Sequence, residues 1–168
     1  MDKVVVISTH LGEIVIEPNH EAAPLTAKNF LKLAEEGFYN QTAFHRVIPG
    51  FMIQGGDPNS RSADRSQHGR GGPGYTIPAE IKEPHVRGSV ATARQGDNVN
   101  PKKESSGSQF FINVKDNAFL NEQYTVFGHV IKGMEVADQI VSIPRDAADN
   151  PRERVEMTVS VVSRSEIS

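Results

Sequence analysis

Apolar positions along the chain come in short runs, most with the two-residue period of a half-buried strand and two with the spacing of a helix face. Residues 4–9 and 13–17 form two such runs around the turn His10-Leu11-Gly12, which predicts an opening hairpin. Pro24 then precedes Thr26, a residue type that caps helices. Ala27, Phe30, Leu31 and Ala34 follow at i, i+3, i+4 and i+7 until Gly37, which predicts a helix with one apolar face. Residues 44–48 and 51–54 flank the turn Pro49-Gly50, and residues 86–93, 109–114 and 124–131 supply three more strand-like runs. Met134, Ala137, Ile140 and Val141 lie near one face of a second helix, and residues 155–163 alternate as a closing strand. Two polar stretches, residues 57–78 and 95–108, interrupt the pattern; loops of that length are usually functional or mobile. About eight short strands with two helices read as mainly β rather than alternating βαβ, leaving a sandwich and a barrel both open.

Composition narrows the picture. A length of 168 residues fits one domain over 1–168. With 37% hydrophobic and 23% charged residues the chain is globular rather than disordered. A net charge of −3 and a pI near 6.1 argue against a nucleic-acid partner. Cysteine is absent, which excludes a disulfide framework and a thiol nucleophile and fits a reducing compartment. No run approaches the ~18 apolar residues of a membrane span. The first residues do not have the pattern of a signal peptide either, so a cytoplasmic location with no membrane partner is expected. No apolar surface run demands a second copy, so a monomer is expected.

Several candidate chemistries fail on spacing. The Gly-rich run at residues 69–74 lacks the Gly-Lys-Ser/Thr ending of a phosphate loop. The six His are scattered without paired helical spacing, and no metal or other cofactor is expected. Asp57-Pro58-Asn59 opens like a calcium loop but lacks its central Gly and closing Glu. What survives is Arg46 in an apolar, aromatic stretch. Strand period places Arg46 with Phe44 and Ile48, away from His45 and Val47; it pairs Met52 with Gln54 and turns Phe51 away from both. A charge there needs an acidic partner, solvent or a ligand, and spacing alone leaves a structural ion pair and a ligand contact open. On a later run Gln109 and Phe111 share one face, Phe110 and Ile112 the other.

The segment Phe44-His45-Arg46-Val47-Ile48-Pro49-Gly50-Phe51-Met52-Ile53-Gln54-Gly55-Gly56-Asp57 closely resembles the signature of cyclophilins, the cyclosporin-binding class of peptidyl-prolyl cis–trans isomerases. Gly72-Pro73-Gly74-Tyr75-Thr76-Ile77-Pro78-Ala79-Glu80, Gly88-Ser89-Val90-Ala91-Thr92-Ala93, Gly107-Ser108-Gln109-Phe110-Phe111-Ile112 and Val126-Phe127-Gly128-His129-Val130 agree in the family's order. The resemblance spans essentially the whole chain. It implies an eight-stranded antiparallel closed barrel capped by two α-helices, and a shallow groove with an apolar pocket for the substrate proline. It further implies that Arg46 is catalytic, that Phe51, Met52, Phe111 and Leu120 line the pocket, and that Gln54 bonds substrate backbone. Ala93, Arg94 and Gln109 would lie along the groove, Arg94 acting through its main chain.

Departures from the family pattern carry expectations of their own. Phe119 stands before Leu120 where many members have Trp, and Phe cannot donate the indole N–H, so weak cyclosporin binding with intact isomerase chemistry is expected. Tyr124 replaces a common His at the pocket edge, Thr92 and Arg94 replace a frequent Met and Asn, and residues 61–70 lengthen the loop. Phe119, Tyr124 and the signal-free N-terminus resemble bacterial cytoplasmic members more than cytosolic eukaryotic ones. The implied partners are proline-containing peptides and unfolded proteins, and the implied activity is rotation about X–Pro bonds in protein folding. The alternative is a proline-directed binding module whose catalysis is incidental.

Overall fold

The computed structural model describes residues 2–167. Eight strands form one continuous, curled sheet: β1 (Lys3–Thr9), β2 (Gly12–Pro18), β3 (Arg46–Ile48), β4 (Met52–Gly55), β5 (Ser89–Thr92), β6 (Phe110–Asn113), β7 (Val126–Lys132) and β8 (Thr158–Ser163). Their order is β3-β4-β6-β5-β7-β2-β1-β8, with every neighbouring pair antiparallel. The mainly β architecture is the expected one. Among the described residues the end strands β3 and β8 share no ladder. The seam is spanned instead by an isolated Ala43–Glu156 bridge, with the Gln41 and Phe44 amides donating to the Met157 and Val155 carbonyls.

Inward-facing residues of these strands and two helices make a single core. Helix α1 (Pro24–Glu35) buries Ala27, Phe30, Leu33 and Ala34, and α2 (Met134–Val141) buries Val136, Ala137, Ile140 and Val141. The Phe30 ring lies 5.5 Å from the rings of Tyr39 and Phe110 and 4.9 Å from Phe127, each removing a large apolar area from water. Full burial of one such ring contributes roughly 1.5–3 kcal/mol.

Helix α1 does not begin as the sequence suggests. Ala23 occupies the cap position without a side-chain bond, and Thr26 lies inside the first turn. The cap comes from Glu80, whose carboxylate accepts from the amides of Leu25 (3.1 Å) and Thr26 (2.8 Å) and from the Thr26 hydroxyl (2.7 Å). A remote carboxylate satisfies the same unpaired N–H groups as a local cap and complements the positive helix end.

The long loop after β4 is held down rather than free. The buried Asp57 carboxylate accepts from the amides of Asn59 (2.8 Å) and Gly69. Arg61 bonds the carbonyls of Phe38 and Asn40, with its guanidinium over the Phe38 ring. Arg65 reaches across to Asp146 (3.2 Å) and to the carbonyls of Pro151 (2.8 Å) and Arg152 (3.2 Å). The loop therefore forms one bank of a groove beside β3 and β4.

Candidate active site

Register places the candidate site residues on the outer face of the sheet. Arg46 on β3 opposes Gln54 on β4, Gln54 opposes Phe111 on β6, and Phe111 opposes Ala91 on β5. These four residues form one row across four strands, because antiparallel partners point to the same side. One step along, Ile48 opposes Met52. The alternate positions Val47, Ile53, Phe110 and Ile112 face the core.

A second apolar cluster, Met52, Ala91, Phe111, Leu120 and Val126, sits on this outer face, flanked by Ile48, Phe51, Ala93 and Tyr124. It surrounds a cavity of about 120 Å³ lined by Arg46, Phe51, Met52, Gln54, Ala93, Arg94, Phe111, Leu120 and Tyr124. That volume holds one side chain and is far below the roughly 300 Å³ at which drug-sized sites begin. Gln109 and Phe119 do not border it. Gln109 lines a larger neighbouring hollow of about 710 Å³ that shares Gln54, Ala93 and Arg94. Phe119 stands 70% exposed at the rim, its ring 5.5 Å from that of Phe51.

Two positions break strand parity. Phe51 reaches the same cavity as Met52 because it lies in the β3–β4 turn, where its amide donates to the Ile48 carbonyl and Gly50 takes a φ of +73° that favours glycine. Phe44 turns inward, 1% exposed, although Arg46 points out. Residues 44 and 45 lie outside any strand, so two-residue alternation fails there. His45 is buried too, and burial holds its imidazole down at about pKa 4, against the opposing pull of Asp57.

Arg46 is exposed and, among the described residues, no carboxylate pairs with it. Its partner is an amide: Nη1 donates to Gln54 Oε1 at 3.3 Å. Gln54 Nε2 donates to Gln109 Oε1 (3.0 Å), and Gln109 Nε2 to the Gly71 carbonyl (2.9 Å). The relay fixes the Gln54 amide with its oxygen toward Arg46 and leaves most guanidinium N–H groups free at the cavity lip. The ion-pair alternative for Arg46 is thereby set aside.

Arg94 behaves differently. Its side chain is 5% exposed and lies 4.5 Å over the Tyr124 ring. The guanidinium donates to the carbonyls of Gln123 (2.8 Å) and Gln95 (2.9 Å) and to Asp97 (3.0 Å), which Lys103 also grips at 2.9 Å. The side chain thus ties the loop at 95–104 to the pocket wall, a structural part that the sequence reading did not give it. Among the described residues, no group of three or more His, Cys, Asp or Glu is arranged to hold a metal. The His45 and His68 rings do approach to 6.4 Å.

The antiparallel barrel thus carries on its outer face a one-side-chain apolar pocket and, among the described residues, a guanidinium with no carboxylate partner. The chain belongs to the cyclophilin-type peptidyl-prolyl cis–trans isomerases: the profile described as "Cyclophilin type peptidyl-prolyl cis-trans isomerase/CLD" matches residues 4–162. The peptidyl-prolyl cis-trans isomerase A of Dickeya dadantii is 42% identical over 144 residues, covering 83% of this chain and 71% of the relative. A probable peptidyl-prolyl cis-trans isomerase of Brucella abortus is 40% identical over 167 residues, covering 94% and 83%. A crystal structure of a Cryptosporidium parvum cyclophilin, determined in the presence of the dipeptide Ala-Pro, superposes with a TM-score of 0.82 at 32% identity. It covers 95% of this chain and 98% of the other.

Proposed function

We propose that this isomerase acts through Arg46 on proline-containing peptides seated in the 120 Å³ cavity, and that it assists protein folding in the cytoplasm as a single-domain monomer. Rotation about an X–Pro bond must cross a barrier of ~18–20 kcal/mol. Uncatalysed exchange takes tens to hundreds of seconds, long enough to limit folding. No heavy-atom bond breaks, so the task is to bind the twisted imide more tightly than either planar form. On twisting, the prolyl nitrogen loses conjugation and regains a lone pair that can accept a hydrogen bond.

Arg46 stands at the lip of the cavity with N–H donors to spare. Its planar, permanently charged fork can donate to that nitrogen and hold a substrate carbonyl together. Phe51, Met52, Phe111 and Leu120 clamp the ring, so the acyl side turns against a fixed proline. Gln54, locked by Gln109, orients the guanidinium and offers its remaining capacity to substrate backbone. The Arg94 main chain carries no partner among the described residues, which leaves it for an extended peptide. Ala-Pro in the related crystal structure supports a proline ligand.

The observation that carries this reading is the acid-free guanidinium beside an apolar cavity of one side chain's size. Turnover of a proline tetrapeptide by the wild-type chain, lost in Arg46→Ala, is the expected result. Binding of that tetrapeptide without turnover would identify a recognition module instead.

A further inference from the structure

A buried network lies directly behind the proline cavity. His85 is 1% exposed, and its ring stacks on Phe111 with centroids 5.9 Å apart and planes 10° from parallel. It meets the Tyr124 ring edge-on at 6.2 Å. His85 Nε2 faces the Tyr124 carbonyl at 3.3 Å, and a carbonyl only accepts, so this nitrogen carries the proton. Nδ1 then accepts from Asn113 Nδ2 at 3.2 Å, whose second proton goes to the Ser89 carbonyl at 3.4 Å. Asn113 Oδ1 accepts from Asn117 Nδ2 at 2.7 Å, and the same Asn117 amide donates to the Phe51 carbonyl at 2.9 Å. Burial lowers the His85 pKa and so favours the neutral ring this chain requires.

We propose that His85 is a positioning residue for the proline pocket, acting with Asn113 and Asn117 to fix the tilt of Phe111, Tyr124 and Phe51. The proposal rests on the isomerase reading of those walls. His85 itself does not border the cavity. The imidazole lies parallel to the Phe111 ring and offset along it, outside the cavity that Phe111 lines. A stacked pair can slide unless something holds its edge, and here both imidazole nitrogens are held. The far end of the network grips the opposite wall through the Phe51 carbonyl. Leu120 joins through its own amide, which donates to the Asn117 carbonyl at 2.9 Å. Four apolar walls therefore converge on one polar chain that does not include Arg46 or Gln54. Disturbing it changes how well the proline is held, while the rotation step keeps its donor.

The test compares His85→Phe, Asn117→Ala and Arg46→Ala with the wild-type chain, by tetrapeptide turnover and by NMR titration with the same peptide. His85→Phe keeps the stacked ring and removes both nitrogens. Asn117→Ala removes only the donor to Phe51 and Asn113. Both are expected to raise KM and weaken peptide binding about 3- to 10-fold, the effect of one or two lost hydrogen bonds. Their kcat is expected within about twofold of wild type, whereas Arg46→Ala loses kcat. In the wild type, long-range proton–nitrogen spectra are expected to show His85 neutral with the proton on Nε2. Wild-type peptide affinity in both variants, or a proton on Nδ1, overturns the proposal. If His85→Phe does not fold, Asn117→Ala decides alone. Turnover lost in Arg46→Ala with unchanged binding in the network variants rejects the positioning role and leaves the isomerase reading intact. No wild-type turnover rejects the isomerase reading, and the titration still decides whether the network shapes the pocket.

Discussion

Val47, Ile53, Phe110 and Ile112 point into the barrel while Arg46, Gln54 and Phe111 point out, so the two faces of β3, β4 and β6 can be compared residue by residue. The inner face is dry and apolar, held by ring contacts such as Phe110 against Phe30 and Tyr39. The outer face carries a guanidinium, two glutamines and a half-open apolar cluster. The same backbone ladder serves both, and strand alternation alone separates the core positions from the candidate site positions on these strands. A rigid inner face is what lets an outer row of side chains keep fixed spacing without a loop to carry it.

The largest effect that tests this division comes from adjacent phenylalanines. Phe110→Ala is expected to cost about 3–5 kcal/mol of stability in denaturant titration, with peptide affinity of the folded fraction retained. Phe111→Ala is expected to cost less stability, because its lost ring already borders a cavity, and to weaken peptide binding about 10-fold. Equal destabilisation with unchanged affinity would make the outer cluster a second core and nothing more.

Next in size is a pH effect from a buried imidazole packed between β3 and the long loop. His45 neighbours Arg46 in sequence, yet it is buried and its folded pKa lies at about 4 against an ordinary 6.5. Above pH 6.5 the ring is neutral folded and unfolded, and it makes no difference. As pH falls below 6.5 the unfolded chain gains a proton that the folded one does not. Stability therefore drops between pH 6.5 and about 4 by about 3 kcal/mol, then levels off. Urea midpoints across this range should show the decline, with a shallower slope in His45→Gln. An unchanged slope in that variant would place the titration elsewhere.

Smaller effects sharpen the outer face. Arg94→Asn frees the 95–104 loop from Tyr124 and Gln123, and KM is expected to rise about 3- to 10-fold with faster amide exchange in that loop. Unchanged exchange would mean the guanidinium restrains nothing. Phe119→Trp adds an indole donor at the rim, and calorimetry is expected to show cyclosporin binding tightened about 5-fold, the worth of one added hydrogen bond. No gain would assign the rim residue no part in that contact.

Much of this was legible in the amino-acid pattern, and the exceptions share a cause. Both helices, the opening hairpin, the Arg46–Ile48 face and the Met52–Gln54 face follow from local periodicity, while the register that joins the two faces does not. The Glu80 cap could not, since it is 54 residues from Thr26 and caps by tertiary contact. The run at 86–93 shortens to β5 because Val86, Arg87 and Gly88 make a turn, with the Ser89 amide donating to the Val86 carbonyl. The run at 155–163 shortens to β8, while Val155 and Met157 still pack inward across the barrel seam. Phe51 defied parity because it sits in a turn. The Arg46–Gln54–Gln109 relay and the His85 network join residues far apart in sequence, which spacing cannot reveal. The resemblance named the pocket residues, while the side-chain bonds of Arg94 and His85 needed coordinates.

Exchange NMR on one proline peptide, with wild type and with Arg46→Ala at saturating enzyme, tests the catalytic role most directly. The expected result is a cis–trans exchange rate about 10²- to 10³-fold lower in the variant, the typical loss of one preorganised transition-state donor. The peptide's binding shifts should persist. Exchange at close to the wild-type rate in Arg46→Ala would contradict it.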